Sequence, residues 1–346
     1  MVATDRGVAA TTDLLPRIAS IRTLRAAFQR VRDNHGCAGA DGVSIAEYEK
    51  DLDRHLALLG EALERGTYRP FPLLRILVEK HDGSARQLLV PTVRDRVAQG
   101  AALEVLGPLF EAEFEACSFG YRPGHSVRAA VNEIKRYYEQ GYRWVLEADV
   151  EAYFDSVDHS LLLARVRDLI EGQKAGDAGR EGDASRLAPS AFRAAPPPDP
   201  SRVLRLIELW IAAEVWDGSQ LYRMKQGIPQ GSVISPALAN LFLDDLDEAL
   251  LTAGQKLVRY ADDFVVLCKD QPSAQRALAL SEQVLASMHL TLDDKAVTDF
   301  EHGFTFLGVT FMRSLILEPF DRPKREHKVL FMPPYLDPGK YRESSS

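Results

Sequence analysis

Two adjacent aspartates interrupt an otherwise apolar pair of short strands in LVRYADDFVVLC, residues 257–268. The runs on either side have the composition of buried strands, whereas Asp262 and Asp263 are like charges that repel each other and resist desolvation. A tight hairpin turn favours Gly or Asn over two acids preceded by Tyr and Ala. Keeping both carboxylates ionised beside a dry sheet is costly unless a cation compensates, so the pair points to a metal site.

A third carboxylate, Asp149, ends another apolar run, WVLEADV. A single Asp after a strand is more often a turn former or a helix cap, and Asp155 in FDSVDHS is interpreted in that way. Magnesium takes hard oxygen ligands, usually one or two carboxylates plus substrate phosphates. Two such ions about 4 Å apart activate an attacking hydroxyl and stabilise the leaving oxygen. Asp149, Asp262 and Asp263 therefore predict metal-assisted phosphoryl transfer.

Composition sets broad limits on the other function classes. A chain of 346 residues has room for about two domains of roughly 150 residues. No apolar run approaches the ~20 residues of a membrane span, and the first 20 residues lack the apolar core of a secretory signal. The three cysteines are far apart and lack metal-ligand spacing, which predicts a reduced, cytoplasmic setting. A net charge of −8 argues against a general nucleic-acid coat but allows a local basic channel.

Periodicity predicts a mixture of helices and antiparallel strands. Residues 71–90 form a hairpin around HDGS, and FTFLGVTFM forms a late strand pair. Glycine-, alanine- and proline-rich residues 171–200 are predicted to be a mobile surface insertion within one continuing sheet. The segment SPALANLFLDDLDEALL predicts an amphipathic helix, with Ser235 as cap and Pro236 in its first turn. Further helices are predicted within residues 20–66, 93–140, 202–214 and 273–288.

The ordered motifs resemble a known polymerase family. YADD at 260–263, ADVEAYFDSVDH and GIPQGSVISPALANLFL resemble the palm of a reverse transcriptase. NHGCAGADGVS, GTYRPFPL, QLLVPTVRDRVAQGAALEVLGPLFE and CSFGYRPGHSVRAAV resemble the fingers of the group II intron lineage, and LTLDDKAV and FTFLGVTF resemble later palm motifs. The resemblance covers residues 25–313. It implies an α+β right-hand fold, with an antiparallel palm sheet backed by helices and mostly helical fingers.

The resemblance also implies a domain order and a thumb that is absent, vestigial or supplied by another chain. The implied segments are an N-terminal extension (1–24), fingers (25–143), a palm (144–313) and a short basic, proline-containing tail (314–346).

The resemblance implies that the protein binds two Mg²⁺ ions, for which Mn²⁺ could substitute. The implied metal ligands are Asp149, Val150 through its backbone, Asp262 and Asp263. Asp149 and Asp262 would bind most directly, while Asp263, one residue further along an alternating strand, should face differently. Phe154 would be the bulky gate that excludes a 2′-hydroxyl; without the resemblance it would be interpreted as a core aromatic.

The remaining implied roles concern the nucleotide, template and primer. Lys80 and Arg86 would grip the triphosphate, although two charges on an exposed hairpin are usually just solvated. The implied nucleotide-binding residues are Lys80, Arg86, Ala152, Tyr153, Phe154, Gln230 and Lys295, the last of which could instead be an exposed helix-end lysine. The implied template or primer contacts are Arg94, Arg96, Arg122 and Tyr260, and for the three arginines bracing of the fingers is an equal alternative.

The implied function is an RNA-directed DNA polymerase that uses an RNA template, a DNA or RNA primer and deoxynucleotides. VWDG at 215–218 and the short tail with MPP resemble CRISPR-associated reverse transcriptases, which implies spacer acquisition from RNA beside a CRISPR integrase. A group II intron maturase-like protein and a phage-defence polymerase remain alternatives. A further alternative, from a different class, is a nucleic-acid-binding scaffold that has lost activity.

Overall fold

The computed structural model describes residues 14–79, 83, 85–178, 200–317 and 329–331, which form an α+β fold. The helices are α1 (Leu14–Ala19), α2 (Ile21–Asp33), α3 (Ile45–Glu49), α4 (Leu52–Glu64), α5 (Val93–Glu113), α6 (Val127–Glu139), α7 (Tyr153–Ser156), α8 (His159–Ala178), α9 (Pro200–Ile211), α10 (Ser235–Thr252) and α11 (Gln271–Ser287). The strands are β1 (Leu73–Glu79), β2 (Ala85–Val90), β3 (Trp144–Val150), β4 (Glu214–Trp216), β5 (Leu221–Arg223), β6 (Lys256–Tyr260), β7 (Asp263–Cys268), β8 (Leu292–Asp299), β9 (Phe304–Phe306), β10 (Val309–Met312), β11 (Leu315–Leu317) and β12 (Val329–Phe331).

Local chemistry explains where the N-terminal helices begin. Ser20, Thr92 and Ser126 each accept a hydrogen bond from a backbone N–H in the first turn of α2, α5 and α6. Ser44 and Glu47 form a reciprocal capping box at the start of α3. These side chains satisfy N–H groups that a helix end leaves without partners. The predicted helical character of this region is confirmed.

The palm sheet is antiparallel, with strand order β6-β7-β3-β8. One face of β3 carries Leu146, Ala148 and Val150 into the main apolar core, which includes buried residues of α10 and α11. On the other face, Val145 packs with Val265 in a second cluster that includes aromatic residues around β9 and β10. Each side of the sheet is therefore covered by apolar packing, which fixes its register. The predicted antiparallel palm backed by helices is confirmed.

Helix α10 differs from its prediction at its start. Its apolar face is buried as an amphipathic helix requires, through Leu238, Leu241, Phe242, Leu246 and Leu250. Ser235, predicted as the cap, is instead the first helical residue. Its buried Oγ has no hydrogen-bond partner among the described residues, and the preceding residue Ile234 provides no side-chain cap. The cap prediction is wrong because the turn before α10 continues in helical backbone geometry through Ile234.

A second sheet joins segments that are distant in sequence. The predicted 71–90 hairpin is confirmed as β1 and β2, and the sheet order is β12-β1-β4-β5 with β2 also paired to β1. Strand β4 pairs with β1 in parallel, so the β4–β5 hairpin, from the range assigned to the palm, belongs to the fingers sheet. This short hairpin was not predicted.

Two predicted irregular segments are partly described. Helix α8 continues through Ala178, over the first part of the proposed 171–200 insertion, while residues 179–199 lie outside the described residues. In the tail, β11 pairs with β10 and β12 pairs with β1, and the rest of 318–346 lies outside the described residues, as does most of the 1–24 extension. Among the helices of the described ranges, none combines the length and apolarity needed to cross a membrane.

Candidate active site

The three predicted carboxylates lie at one end of the palm sheet. Asp149 is the penultimate residue of β3, Asp262 occupies the turn between β6 and β7, and Asp263 opens β7. Strands β3 and β7 are antiparallel, with Glu147 paired to Val265 and Ala148 to Phe264. The next step of that register sets Asp149 beside Asp263. The fold therefore brings together residues that are more than 100 positions apart in the sequence.

The register places Asp263 on the same side of the sheet as Asp149. Residues directly opposite each other in an antiparallel pair share a face, and the Val145 side of β3 carries Val265 of β7 in the same apolar cluster. Asp263 is two residues before Val265 and so lies on the Asp149 side of the sheet. Asp262 belongs to the turn and not to the strand, so simple alternation does not relate it to Asp263, and their different facing stays a prediction.

The electrostatics of the three carboxylates are mutually unfavourable. Burial, followed by repulsion from Asp262 and Asp263, raises the pKa of Asp149 to about 7. Burial and the charge of Asp262 raise the pKa of Asp263 to about 6. Burial also raises the pKa of Asp262, while the positive charges of Arg86 and Arg259 oppose that rise. In the absence of a cation, the site therefore holds protons more tightly than free carboxyl groups do.

Divalent metal binding fits the donor chemistry of this site. Carboxylate oxygens are hard ligands, and a cation would relieve the repulsion that raises the pKa values of Asp149 and Asp263. Within the described residues, no group of three or more His, Cys, Asp and Glu side chains is arranged to hold a metal ion by itself.

The backbone between Asp149 and the predicted gate is sharply bent. Ala152 has a left-handed φ of 44°, directly before α7. Tyr153 is buried and its hydroxyl donates to the Ala239 carbonyl oxygen at 2.6 Å, which anchors α7 to α10. Phe154 is 7% exposed and packs edge-to-face on Tyr153. Phe154 thus belongs to the core, as its composition-based interpretation expected, and also lies five residues beyond Asp149, where the gate was predicted.

Gln230 and Arg86 meet beside the carboxylates. Arg86 donates from Nε to Gln230 Oε1 at 2.8 Å, and the Leu89 N–H donates to the Gln230 carbonyl oxygen at 2.6 Å. Gly231 has φ 119°, and a Cβ there would lie 2.8 Å from the Leu89 carbonyl oxygen. The close backbone approach therefore requires glycine. These contacts attach the loop that contains Gln230 and Gly231, here called the QG loop, to strand β2. They also place the Arg86 charge near Asp262.

Two other predicted nucleotide contacts have different outcomes. Lys80 lies outside the described residues. Lys295 lies in β8, which corrects its interpretation as a helix-end residue, and its Nζ forms an ion pair with Glu282 of α11. The β8 backbone is irregular between the residues that pair with Glu147 and Asp149, and Asp294 there has a φ of 42°.

The predicted template arginines are engaged mainly with the protein. Arg94 lies over the rings of Tyr68 and Phe71, at 5.0 and 4.7 Å from their centroids. Arg122 donates to Glu111 at 3.0 Å and to the carbonyl oxygens of Glu115 and Ser118. These contacts brace the fingers, which was one of the two roles considered.

The other two predicted template contacts are Arg96 and Tyr260. Arg96 is 8% exposed and donates to the Cys37 carbonyl oxygen, while its Nε has no hydrogen-bond partner within the described part of the chain. Tyr260, the residue before the turn, remains half-buried and lies 6.5 Å from the ring of Tyr121. Tyr260 is therefore the predicted template or primer residue that lies closest in sequence to the carboxylate turn.

A buried polar group next to the site was missed by the sequence analysis. Arg259, two residues before Ala261, is fully buried and pairs with the equally buried Asp247 of α10. Its signal in the sequence is a charged residue within the apolar run LVRY. A buried charge of this kind requires a partner.

Comparisons with known proteins show what this chain is similar to. Residues 189–311 match the family described as reverse transcriptase (RNA-dependent DNA polymerase). The chain is thus similar to reverse transcriptases over these residues. It is 28% identical over 317 residues to the protein YkfC of Escherichia coli, covering 80% of this chain and 76% of YkfC. It is also 28% identical over 240 residues to the group II intron-encoded protein LtrA of Lactococcus lactis, covering 69% of this chain but only 35% of LtrA.

Solved structures that are similar to this chain include a chain of a partial Cas6-RT-Cas1–Cas2 complex. It is 29% identical, with a TM-score of 0.44, covering 80% of this chain and 42% of that chain. A telomerase from Candida albicans is 15% identical, with a TM-score of 0.49, covering 73% of this chain and 47% of that chain. Both scores are below 0.5, so the assignment of the fold rests on the sheets and helices described above.

Proposed function

We propose that this chain is an RNA-directed DNA polymerase that adds deoxynucleotides to a primer by nucleotidyl transfer. The observation that carries the proposal is the convergence of Asp149, Asp262 and Asp263 at one sheet end, beside the Arg86–Gln230 pair. A cluster of carboxylates at the end of a sheet is, by itself, compatible with many kinds of metal site. An adjacent guanidinium on the opposing hairpin adds a group that can bind a phosphate in a bidentate manner.

Each side chain has a distinct task in this proposal. When bound, two Mg²⁺ ions would activate the primer 3′-hydroxyl and stabilise the leaving pyrophosphate. Asp149 and Asp262 would hold them, with Asp263 on the same side of the sheet and the Val150 carbonyl as a further oxygen ligand. Arg86 would bind the triphosphate and move away from Gln230 as it does so, which frees the Gln230 amide to contact the nucleotide. Ala152 and Tyr153 would supply backbone along the phosphates.

Phe154 would select deoxynucleotides by excluding the 2′-hydroxyl. Tyr153 packs edge-to-face against the aromatic ring, and the Ile228 N–H donates to the Phe154 carbonyl oxygen at 2.7 Å, which fixes the backbone that carries the ring. A ring fixed in this way cannot move aside at low cost, so steric exclusion is effective. The same packing that places Phe154 in the core would thus also make it a rigid gate.

Primer extension tests the proposed activity. We expect the wild-type chain to extend a DNA primer on an RNA template with Mg²⁺ and deoxynucleotides, and Asp262→Ala to abolish extension. The matched control is Asp270→Ala at the far end of the β6–β7 hairpin, where an exposed Asp caps α11 by accepting from the Ser273 N–H at 2.8 Å. Loss of this cap costs about 1 kcal/mol of stability and should leave extension intact. A wild-type chain that extends no primer with either Mg²⁺ or Mn²⁺ would contradict the proposal and favour an inactive nucleic-acid-binding scaffold.

We further propose that the polymerase acts with a CRISPR integrase and copies RNA during spacer acquisition. The support is the resemblance of VWDG, residues 215–218, and of the tail to CRISPR-associated reverse transcriptases. Within VWDG, Asp217 and Gly218 lie in the turn between β4 and β5, whereas Val215 is buried within β4. The intron-encoded alternative is supported by the identity to LtrA.

Partner binding separates the two contexts. We expect the chain to co-purify with a Cas1–Cas2 integrase encoded beside it, and Asp217→Ala together with Ser219→Ala to weaken that association by loosening the β4–β5 turn. Asp217 Oδ1 accepts from the Ser219 hydroxyl and backbone at 2.8 Å. Binding of a structured intron RNA with no integrase association would contradict the CRISPR proposal and support the maturase-like alternative.

A further inference from the structure

A buried polar network connects helix α10 to the turn that carries Asp262. Arg259 of β6 and Asp247 of α10 are both 0% exposed. Arg259 Nε donates to Asp247 Oδ1 at 2.7 Å, and Nη2 donates to Asp247 Oδ2 at 2.5 Å. This bidentate arrangement uses two of the donors on the guanidinium and fixes its plane relative to α10.

The remaining arm of the guanidinium points at the carboxylate turn. Arg259 Nη1 donates to the Ala261 carbonyl oxygen at 2.9 Å and to Asn240 Oδ1 at 3.0 Å. Ala261 has a left-handed φ of 61°, a conformation that a residue with a Cβ disfavours. Its carbonyl group belongs to the peptide unit that leads directly into Asp262. A charged donor at that oxygen therefore fixes the orientation of the peptide on which the Asp262 side chain depends.

The turn is also held from its other side by residues 117–120. The Arg259 N–H donates to the Cys117 carbonyl oxygen and the Phe119 N–H donates to the Arg259 carbonyl oxygen, both at 2.8 Å. Asn240 Nδ2 donates to the Gly120 carbonyl oxygen at 2.7 Å. A Cβ at Gly120 would lie 2.5 Å from the Ala261 nitrogen, so this segment packs directly against the turn.

Stability alone does not explain a network of this composition. A buried ion pair is often no more stabilising than well-packed apolar residues of similar volume, because both charges lose their hydration. A pair of apolar side chains would fill the same space but could not donate to the Ala261 carbonyl oxygen. The distinguishing property of Arg259 is thus the direction of its third hydrogen bond, toward the turn.

We propose that Arg259 is a positioning residue that sets the geometry of Asp262 for divalent-metal binding, with Asp247 and Asn240 holding the guanidinium in place. Arg259 acts through the Ala261 peptide and contacts neither substrate nor metal. This inference rests on the proposed function, since it assigns Asp262 as a metal ligand.

The test removes both buried charges together. The double variant Arg259→Met/Asp247→Leu keeps the volume and avoids leaving one charge unpaired, so we expect its melting temperature to stay close to that of the wild type. Mn²⁺ affinity, measured by electron paramagnetic resonance without nucleic acid or nucleotide, should fall about tenfold or more because one charge-assisted hydrogen bond to the turn is lost. A folded double variant with wild-type Mn²⁺ affinity overturns the proposal.

A second variant and a control complete the design. If the double variant does not fold, Arg259→Lys keeps the charge beside Asp247 but cannot reach Asp247, Asn240 and Ala261 at once; wild-type Mn²⁺ affinity in that variant also overturns the proposal. The control is Tyr68→Phe, which removes a buried hydroxyl bonded to Asp95 at 2.7 Å in the fingers. It should lower stability and leave Mn²⁺ affinity unchanged.

Comparison with primer extension separates this inference from the proposed function. If the wild type binds Mn²⁺, the double variant binds it weakly and neither extends a primer, the positioning role stands while the polymerase proposal fails. If the wild type extends primers but the folded double variant keeps both full extension and full Mn²⁺ affinity, only the positioning role fails. A wild-type chain without measurable Mn²⁺ binding contradicts the positioning role directly.

Discussion

Replacing Asp263 by Asn should stabilise the metal-free protein, and more so at pH 8 than at pH 5. The pKa of Asp149 is raised to about 7 and that of Asp263 to about 6, from the ordinary value of 3.8 for an aspartate. A carboxyl group whose pKa is raised by folding binds its proton more tightly in the folded state. The resulting penalty is absent below pH 3.8, grows as the pH rises, and is complete above the folded-state pKa.

The magnitude follows from these values. The rise in the pKa of Asp149 from 3.8 to about 7 corresponds to a loss of stability of up to about 4 kcal/mol above pH 7, at about 1.36 kcal/mol for each unit of pKa. Burial is the largest cause and Asp263 only the third, so removing the Asp263 charge recovers a minor share of that penalty. The Asp263 side chain is itself solvent-exposed, which screens its own contribution. We therefore expect Asp263→Asn to add about 1 kcal/mol more to the free energy of unfolding at pH 8 than at pH 5.

Urea unfolding of the metal-free protein at the two pH values measures this difference. Asp217→Asn is a control of opposite sign, because hydrogen bonds from Gln220 and Ser219 lower the pKa of Asp217 to about 2. Its replacement should destabilise the protein at both pH values, since an Asp with so low a pKa is ionised throughout. Saturating Mg²⁺ should remove the advantage of Asp263→Asn at pH 8. An equal change at pH 5 and pH 8 would refute the electrostatic reasoning.

The other predictions concern the gate and the QG loop. Phe154→Ala should increase ribonucleotide incorporation relative to deoxynucleotide incorporation by about tenfold or more, measured by competing substrates in primer extension, and an unchanged ratio removes the gate assignment. Gly231→Ala should lower the free energy of unfolding by about 1–3 kcal/mol, because φ is 119° and the new Cβ meets the Leu89 carbonyl oxygen. Gly254→Ala, at φ 76° with open space around it, is the matched control and should cost less, so equal losses in urea unfolding would show that the contact with β2 is unimportant.

Much of the palm could be predicted from the sequence because its signals are local. Strand β3, the β6–β7 hairpin and helix α10 each combine a sustained apolar pattern with a clear boundary. The carboxylates were identified because ionisable groups at the ends of apolar strands conflict with burial. That conflict can be recognised in the sequence, whereas the residues that surround the carboxylates in the folded protein cannot.

The parts that could not be predicted depend on long-range pairing. Strand β4 has only three residues and is stabilised by its parallel pairing with β1, which lies more than 130 residues earlier. The face of Asp263 depends on the register between β3 and β7 and on where the turn ends. The Arg259–Asp247 pair needs the packing of β6 against α10, which no local pattern specifies.

The same limit applies to the predicted arginines. Sequence reasoning could place Arg122 and Arg94 in the fingers, but could not determine whether their donors face solvent or the protein. The structure gives Arg122 three internal acceptors and stacks Arg94 on two aromatic rings. An arginine on the surface and an arginine that braces the interior cannot be told apart in a sequence. Only the tertiary contacts distinguish them.

The rate of single-nucleotide addition to a DNA primer on an RNA template tests the central claim most directly. The experiment compares the wild type with Asp149→Asn and Glu147→Gln at saturating deoxynucleotide and Mg²⁺. Glu147 is the matched control, because it is an acid on the same face of β3, two residues before Asp149. We expect Asp149→Asn to reduce the rate by about a thousandfold, since a metal-stabilised transition state contributes several kcal/mol. Glu147→Gln should stay within about threefold of wild type, a difference of less than 1 kcal/mol in the barrier. Nucleotide addition by Asp149→Asn at the wild-type rate would contradict the account.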